Sequence, residues 1–215
     1  NHSPLEITAQ GRVNPGDLSY FFSDTVMNYF NRWETTELEL EGHYTMAQGA
    51  IKVLSLKSGN SQLSVKGLIN EVLDIDKINW KELEVNASMG SAFKETLTPF
   101  LKTINIPPDA TVQVRSSGNP KRITIDGQVL TSWGDVEVTG LAAQQAKNFT
   151  IDMNLIGRKV NVGKWIDVTL VGPADLSAGA KGVIGSELSL EIDGLISSME
   201  LLNEPIHSID FQSKV

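Results

Sequence analysis

The sequence predicts an all-β fold with short helical insertions: a long, curled, mainly antiparallel and repetitive sheet that forms an apolar groove. Three observations carry that prediction. First, eight runs alternate apolar and polar residues with a glycine in the apolar phase, as in Leu5, Ile7, Ala9, Gly11 and in Leu188, Leu190, Ile192, Gly194. Period-two alternation puts the apolar side chains on one face of a strand and the polar ones on the other. Glycine within a strand marks a bend or a close backbone approach. Second, turn chemistry such as Ser58-Gly59-Asn60, Ser117-Gly118-Asn119-Pro120 and Ile184-Gly185-Ser186 separates the runs at strand-length intervals. Third, segments recur with drift: 5–9 returns as 83–87, and 62–69 returns as 135–142 and again in 187–196.

In chain order, the run from Leu5 is a strand, and Leu18, Phe22, Val26, Tyr29, Phe30 and Trp33 then recur at helical spacing, with Asp17 or Ser23 as a cap. The aromatics Phe21, Phe22, Tyr29, Phe30 and Trp33 of this helical insert at 18–33 read as packing against the sheet in preference to contacting a ligand. Leu38, Leu40, Gly42 and Leu63, Val65, Gly67 mark further strands, and 83–89 another. A second insert at 93–104 places Phe93, Leu97, Phe100, Leu101 and Ile104 on one helical face, with Ser91 as cap, a break or a fresh first turn at Thr98-Pro99 and an end at Pro107-Pro108. Strands follow at Ile123, Ile125, Gly127; at Val136, Val138, Gly140; and at Ile151, Met153, Leu155, Gly157. Val168, Leu170 and Gly172 keep strand phase, and the Gly, Ala and Pro rich stretch 172–182 reads as a loop in place of a third helix. The runs from Leu188 and from Ile206 are the last strands. No composition shift divides the chain, so 1–215 reads as one continuous segment with repeats at about 5–82, 83–165 and 166–215.

Composition bounds the function. Of 215 residues, 40% are apolar and 20% charged, ordinary for a folded chain, and the net charge of −8 argues against a nucleic-acid or anionic-membrane partner. The absence of cysteine excludes disulfides, thiolate metal sites and a cysteine nucleophile. No apolar run approaches the roughly 18 to 20 residues that cross a bilayer. The chain starts at Asn1 without an initiator methionine and reads as a piece of something longer, any anchor lying outside it.

No residue set carries a catalytic signature. His2, His43 and His207 are scattered without ligand spacing, which argues against a metal, and no cofactor is expected. Asp74 and Asp76, with Glu71, lack the further oxygen ligands of a calcium loop and read as a solvated turn. Gly185-Ser186 lacks the full nucleophile elbow, and no glycine-rich loop leads into a helix. Asn86-Ala87-Ser88 and Asn148-Phe149-Thr150 match a glycosylation sequon and receive no function. Trp80, Trp133 and Trp165 read as isolated residues at strand ends or sheet margins. The candidate site is therefore the apolar face itself, represented by Leu63, Val65, Ile123, Ile125, Val136, Val138, Ile151, Met153, Leu188 and Leu190, with Lys66, Thr124, Glu137 and Glu191 on the opposite side.

The alternating strands, the drifting repeat, and the phrase Phe100-Leu101-Lys102-Thr103-Ile104-Asn105-Ile106-Pro107-Pro108 before a strand resemble the TamB branch of the AsmA-like proteins, most closely the TamB-like chains of Bacteroidota envelopes. The strands from Ile123 to Val138, with their Trp133-Gly134 turn, add to the likeness. The resemblance implies a β-sheet folded along its length into a groove, apolar inside, that spans the periplasm from an inner-membrane anchor to a TamA-type outer-membrane barrel. It implies passage of phospholipid between membranes and help in assembling outer-membrane proteins. The helical inserts depart from an uninterrupted trough.

Three functions compete. A noncatalytic lipid-transport segment would shield acyl chains, at about 0.8 kcal/mol per buried methylene, or on the order of 10 kcal/mol for a sixteen-carbon chain before losses. A structural β-sandwich or solenoid, serving as scaffold or adhesin, would fill the same face with its own side chains. A carbohydrate-active enzyme would need clustered carboxylates on neighbouring strands, and the sequence aligns none.

Overall fold

The computed structural model describes residues 5–14, 36–45, 48–71, 77–90, 105, 107, 109–146, 148–185 and 188–214. The helical inserts expected at 18–33 and 93–104, and the carboxylates Asp74 and Asp76, lie outside them. Among the described residues the chain is all-β, with thirteen strands in one antiparallel sheet that follows chain order and does not close on itself. It divides into two compact units, Asn1–Lys102 with Pro108–Gln113, and Thr103–Pro107 with Val114–Val215.

Unit 1 is a five-stranded meander: β1 (Leu5–Val13), β2 (Thr36–Tyr44), β3 (Gln48–Ser58), β4 (Ser61–Asn70) and β5 (Asn79–Ser88). The Ser58-Gly59-Asn60 signal makes the β3–β4 hairpin, with Gly59 at positive φ and Ser58 and Ser61 buried. Register shifts fall at neighbouring places on successive strands, between Glu41 and Gly42, between Ile51 and Leu54, and between Lys66 and Leu68. Bulges bend a strand and raise its twist, so this line is where the sheet of unit 1 bends. Two of the phased glycines sit on it. A Cβ at Gly42 would lie 2.7 Å from Ala50 O, and one at Gly67 would lie 2.9 Å from Leu83 Cα.

β6 (Thr111–Asn119) contains the boundary between the units. Unit 2 continues with β7 (Arg122–Leu130), β8 (Asp135–Gln145), β9 (Asn148–Asn161), the short helix α1 (Val162–Ile166), β10 (Val171–Ile184), β11 (Ser189–Leu201), β12 (Glu204–Ile206) and β13 (Ile209–Lys214). β12 and β13 share one edge of β11. Leu202 and Asn203 both have positive φ, the signature of a tight two-residue hairpin between β11 and β12.

The structure departs from the sequence expectation at three places. The Gly, Ala and Pro rich stretch 172–182 is no loop: it lies within the fourteen-residue β10, paired with β9 on one side and β11 on the other. Its small side chains lower its strand propensity, but they suit a strand flanked by bulky neighbours. Val168 and Leu170 are not strand residues; they lie exposed in the connection from α1 to β10. Trp133 and Trp165 are not isolated. Their rings meet edge to face, 6.3 Å between centroids, and Lys164 Nζ stands 5.9 Å from the Trp133 centroid.

That aromatic corner is built by local hydrogen bonds. Thr131 Oγ1 accepts from the Trp133 N–H and donates to Gly134 O, shaping the β7–β8 turn. Gly134 has φ of 111°, where a side chain is strained, and a Cβ there would lie 2.5 Å from Val160 Cα. Asn161 caps α1 by accepting from the Lys164 N–H at 3.0 Å, and its own N–H donates to Trp133 O. Asn105 donates from its backbone to Trp165 O and from its side chain to Lys164 O, satisfying carbonyls at the helix end. Val160 and Ala174 are buried beside this corner.

Candidate functional site

Directly paired residues in an antiparallel ladder point to the same face, so the registers define the apolar surface of each unit. In unit 1, Leu63 pairs with Leu56 and Ala87, and Val65 with Leu54 and Val85. The same rows continue outward through Leu38 and Gly11, and through Leu40 and Ala9. In unit 2, Ile123, Ala142, Ile151, Gly182 and Leu190 form one row, and Ile125, Gly140, Met153, Ala180 and Ile192 the next. Gly127, Val138, Leu155, Ala178, Gly194 and Phe211 form a third, while Val136 lies between Val129 and Gly157 in a fourth. Seven of the ten candidates thus share one face of unit 2, and Leu63 and Val65 share one face of unit 1. Leu188 stands apart: it precedes β11 by one residue and is exposed.

The phased glycines have a concrete role on this face. A Cβ at Gly140 would fall on Met153 Sδ, one at Gly157 would lie 3.0 Å from Leu176 Cγ, and one at Gly194 would fall on the Phe211 ring. A large side chain on one strand lies over the glycine of its neighbour, and in the rows from Ile123 to Leu190 and from Ile125 to Ile192 large and small residues alternate strand by strand. The face is apolar but not deeply covered. The nine candidates on the strands are all half-buried, and none is buried. Buried apolar side chains among the described residues are few: Pro107, Ala110, Val160 and Ala174. The one described helix packs on β10.

The opposite face carries the charged side chains, with Leu141, Ile156 and Leu195 interspersed among them. Asp152, Lys181, Glu191 and Lys214 face each other across four adjacent strands, alternating in sign, with Lys181 Nζ 3.4 Å from Asp152. Lys66 pairs with Glu84 at 3.0 Å, and Lys52 with Glu41 at 2.7 Å, a hydrogen bond that raises the Lys52 pKa. Arg158 forks onto both carboxylate oxygens of Glu137; this hydrogen bond holds Glu137 below the usual carboxylate range and raises Arg158. Asp175 lies where β10 shifts register against both neighbours. Its carboxylate accepts the Lys159 N–H at 2.7 Å and the Ser198 hydroxyl at 3.1 Å, and these bonds, the backbone one first, lower its pKa. The residue takes up a donor that the bulge withdraws from the ladder. In unit 1 a row of amides does related work: Gln48 Nε2 donates to Asn70 Oδ1 and Asn70 Nδ2 donates to Asn79 Oδ1, each at 2.8 Å.

His43 lies in polar phase between Glu6 and Ala50, and His207 is exposed. Among the described residues no group of three His, Cys, Asp or Glu is placed to hold a metal ion. No described helix is long and apolar enough to cross a membrane. The face residues missed in sequence belong chiefly to β3 and β10. In β3 the bulge shifts the apolar phase between Ile51 and Leu54, so alternation alone loses the strand; the slip of phase between two clean alternations was the available signal. No protein-family description, curated protein or solved structure matches the chain.

Proposed function

We propose that this chain is a noncatalytic segment of a TamB-like envelope protein, and that its sheet curls into a groove whose apolar side shields phospholipid acyl chains in transit through the periplasm. In this reading the longer protein is anchored in the inner membrane and reaches a TamA-type outer-membrane barrel. The observation that carries it is the one-sided sheet: in each unit, rows of Leu, Ile, Val and Met occupy one face and remain half-buried, while cross-strand ion pairs order the other. Half-exposed aliphatic rows gain free energy when a hydrocarbon covers them, and they demand no polar specificity. An acyl chain is long, flexible and featureless, which suits such a surface.

The test is photo-crosslinking in the native envelope from a probe at Val138 or Ile151, with Glu137 on the opposite face as control. Lipid adducts from Val138 and Ile151 and none from Glu137 are expected. Equal labelling from both faces, or none from either in a folded protein, makes the chain a scaffold whose apolar face serves its own packing.

A further inference from the structure

One end of unit 2 carries an apolar tip separate from the sheet face. Ile166, Val168 and Leu170, in and after α1, are 48%, 37% and 54% exposed, and Leu202 of the β11–β12 hairpin is 61% exposed. The Leu202 N–H donates to Leu170 O at 2.9 Å, and Val171 pairs with Leu201, so the two connections are fastened side by side. The tip is preorganised: Asn161 caps the helix, Asp167 closes it in the left-handed conformation, and Leu202 and Asn203 make the tight turn. Asp167 at the helix end, Glu204 paired with Leu201, and Glu200 beside Gly172 bring three carboxylates to the same connections, while Lys164 of α1 lies over the Trp133 ring.

We propose that this tip inserts into a zwitterionic phospholipid surface, with its four aliphatic side chains below the headgroups and its acidic rim against their ammonium groups. Area and charge select this occupant. Four partly exposed aliphatic side chains present roughly 300 Å², a patch well below the ~800 Å² per partner of a stable protein interface. A small rigid apolar projection suffices for a bilayer, which closes around whatever enters it. The rim is acidic, so phosphatidylcholine or phosphatidylethanolamine fits and an anionic leaflet is repelled. The inference goes beyond the acyl-shielding reading and stands independently of it, since it concerns strand ends and not the sheet face.

Flotation with phosphatidylcholine vesicles tests it. The wild-type chain should float, and Leu170→Ser and Leu202→Ser should each weaken partitioning about five- to tenfold. Ile156→Ser, an exposed aliphatic on the charged face and outside both the tip and the candidate groove, should float like the wild type, so failure of the groove reading leaves this result intact. Replacing part of the phosphatidylcholine by phosphatidylglycerol should reduce binding at low salt. Because the chain has no cysteine, Thr169→Cys can carry a single nitroxide label, whose oxygen accessibility should rise on adding vesicles. That readout needs no destabilising change. Unchanged flotation of both serine variants, stronger binding to anionic vesicles, a label that stays in water, or self-association lost in the serine variants would each overturn the proposal, the last making the tip a protein contact.

Discussion

Replacing Gly182 by alanine isolates the role of the small residues in β10. A Cβ there would fall on Ser189 O and lie 2.9 Å from Leu190 Cα, both backbone atoms of the adjoining strand. Neither can rotate away, so β11 must shift immediately before the stretch, from Glu191 on, where it also pairs with β13. Overpacking of this kind costs about 1–3 kcal/mol, and contact with backbone places Gly182→Ala near the top of that range. Alanine recovers about 0.5–1 kcal/mol through lower unfolded-state entropy. The net expectation is a loss of about 2 kcal/mol. With a urea slope of about 2 kcal/mol/M, the midpoint should fall by about 1 M. Gly140→Ala should lie in between, because Met153 Sδ can move aside although Asp152 O, 2.7 Å from the new Cβ, cannot. Gly11→Ala is the control: nothing lies within 4 Å of its Cβ, so it should be neutral or slightly stabilising. Urea titrations followed by tryptophan fluorescence read the first two through Trp133 and Trp165, and far-ultraviolet circular dichroism reads the third. If Gly182→Ala matches the wild type while Gly11→Ala does not, close strand approach is not what these glycines provide.

Three further outcomes follow from the polar contacts. A lowered carboxylate contributes stability that is complete above its unfolded pKa and lost as pH falls through its lowered folded value. Unit 2 should therefore lose urea resistance below the ordinary 3.8 of Asp175, and Asp175→Asn should show a shallower loss; parallel pH profiles would refute this. Asn161→Ala removes the α1 cap and should cost about 1 kcal/mol while weakening the near-ultraviolet signal of the Trp133–Trp165 pair, an outcome absent if the corner is held by ring packing alone. Asn70→Ala leaves Gln48 and Asn79 without their side-chain partner and should cost about 1–2 kcal/mol, checked by denaturation of the variant against Gln48→Ala and the double variant, whose losses should be less than additive.

The alternation of Ile123, Ile125 and of Ile151, Met153, Leu155 was enough to assign strand, phase and apolar face, because side-chain direction in an extended chain depends only on residue parity. The Ser58-Gly59-Asn60 turn was equally legible, since glycine tolerates the positive φ that a tight hairpin needs. Parity fails wherever a strand inserts an extra residue: β3 changes phase between Ile51 and Leu54, and only its partners in β2 and β4 reveal which residues share a face. β10 escapes alternation for a related reason. Its alanines and glycines are poor strand formers taken alone, but Met153 and Ile192 flank Ala180, and Ile151 and Leu190 flank Gly182, so bulky neighbours decide that small residues fit there. The pairing of Trp133 with Trp165 across thirty-two positions, the pinning of the bulge by Asp175 and the joining of Leu170 to Leu202 are likewise contacts between residues remote in sequence. Strand, turn and amphipathic face follow from local geometry and are legible in the residues alone; register, bulge and corner depend on what the neighbouring strand presents, and so belong to the folded chain.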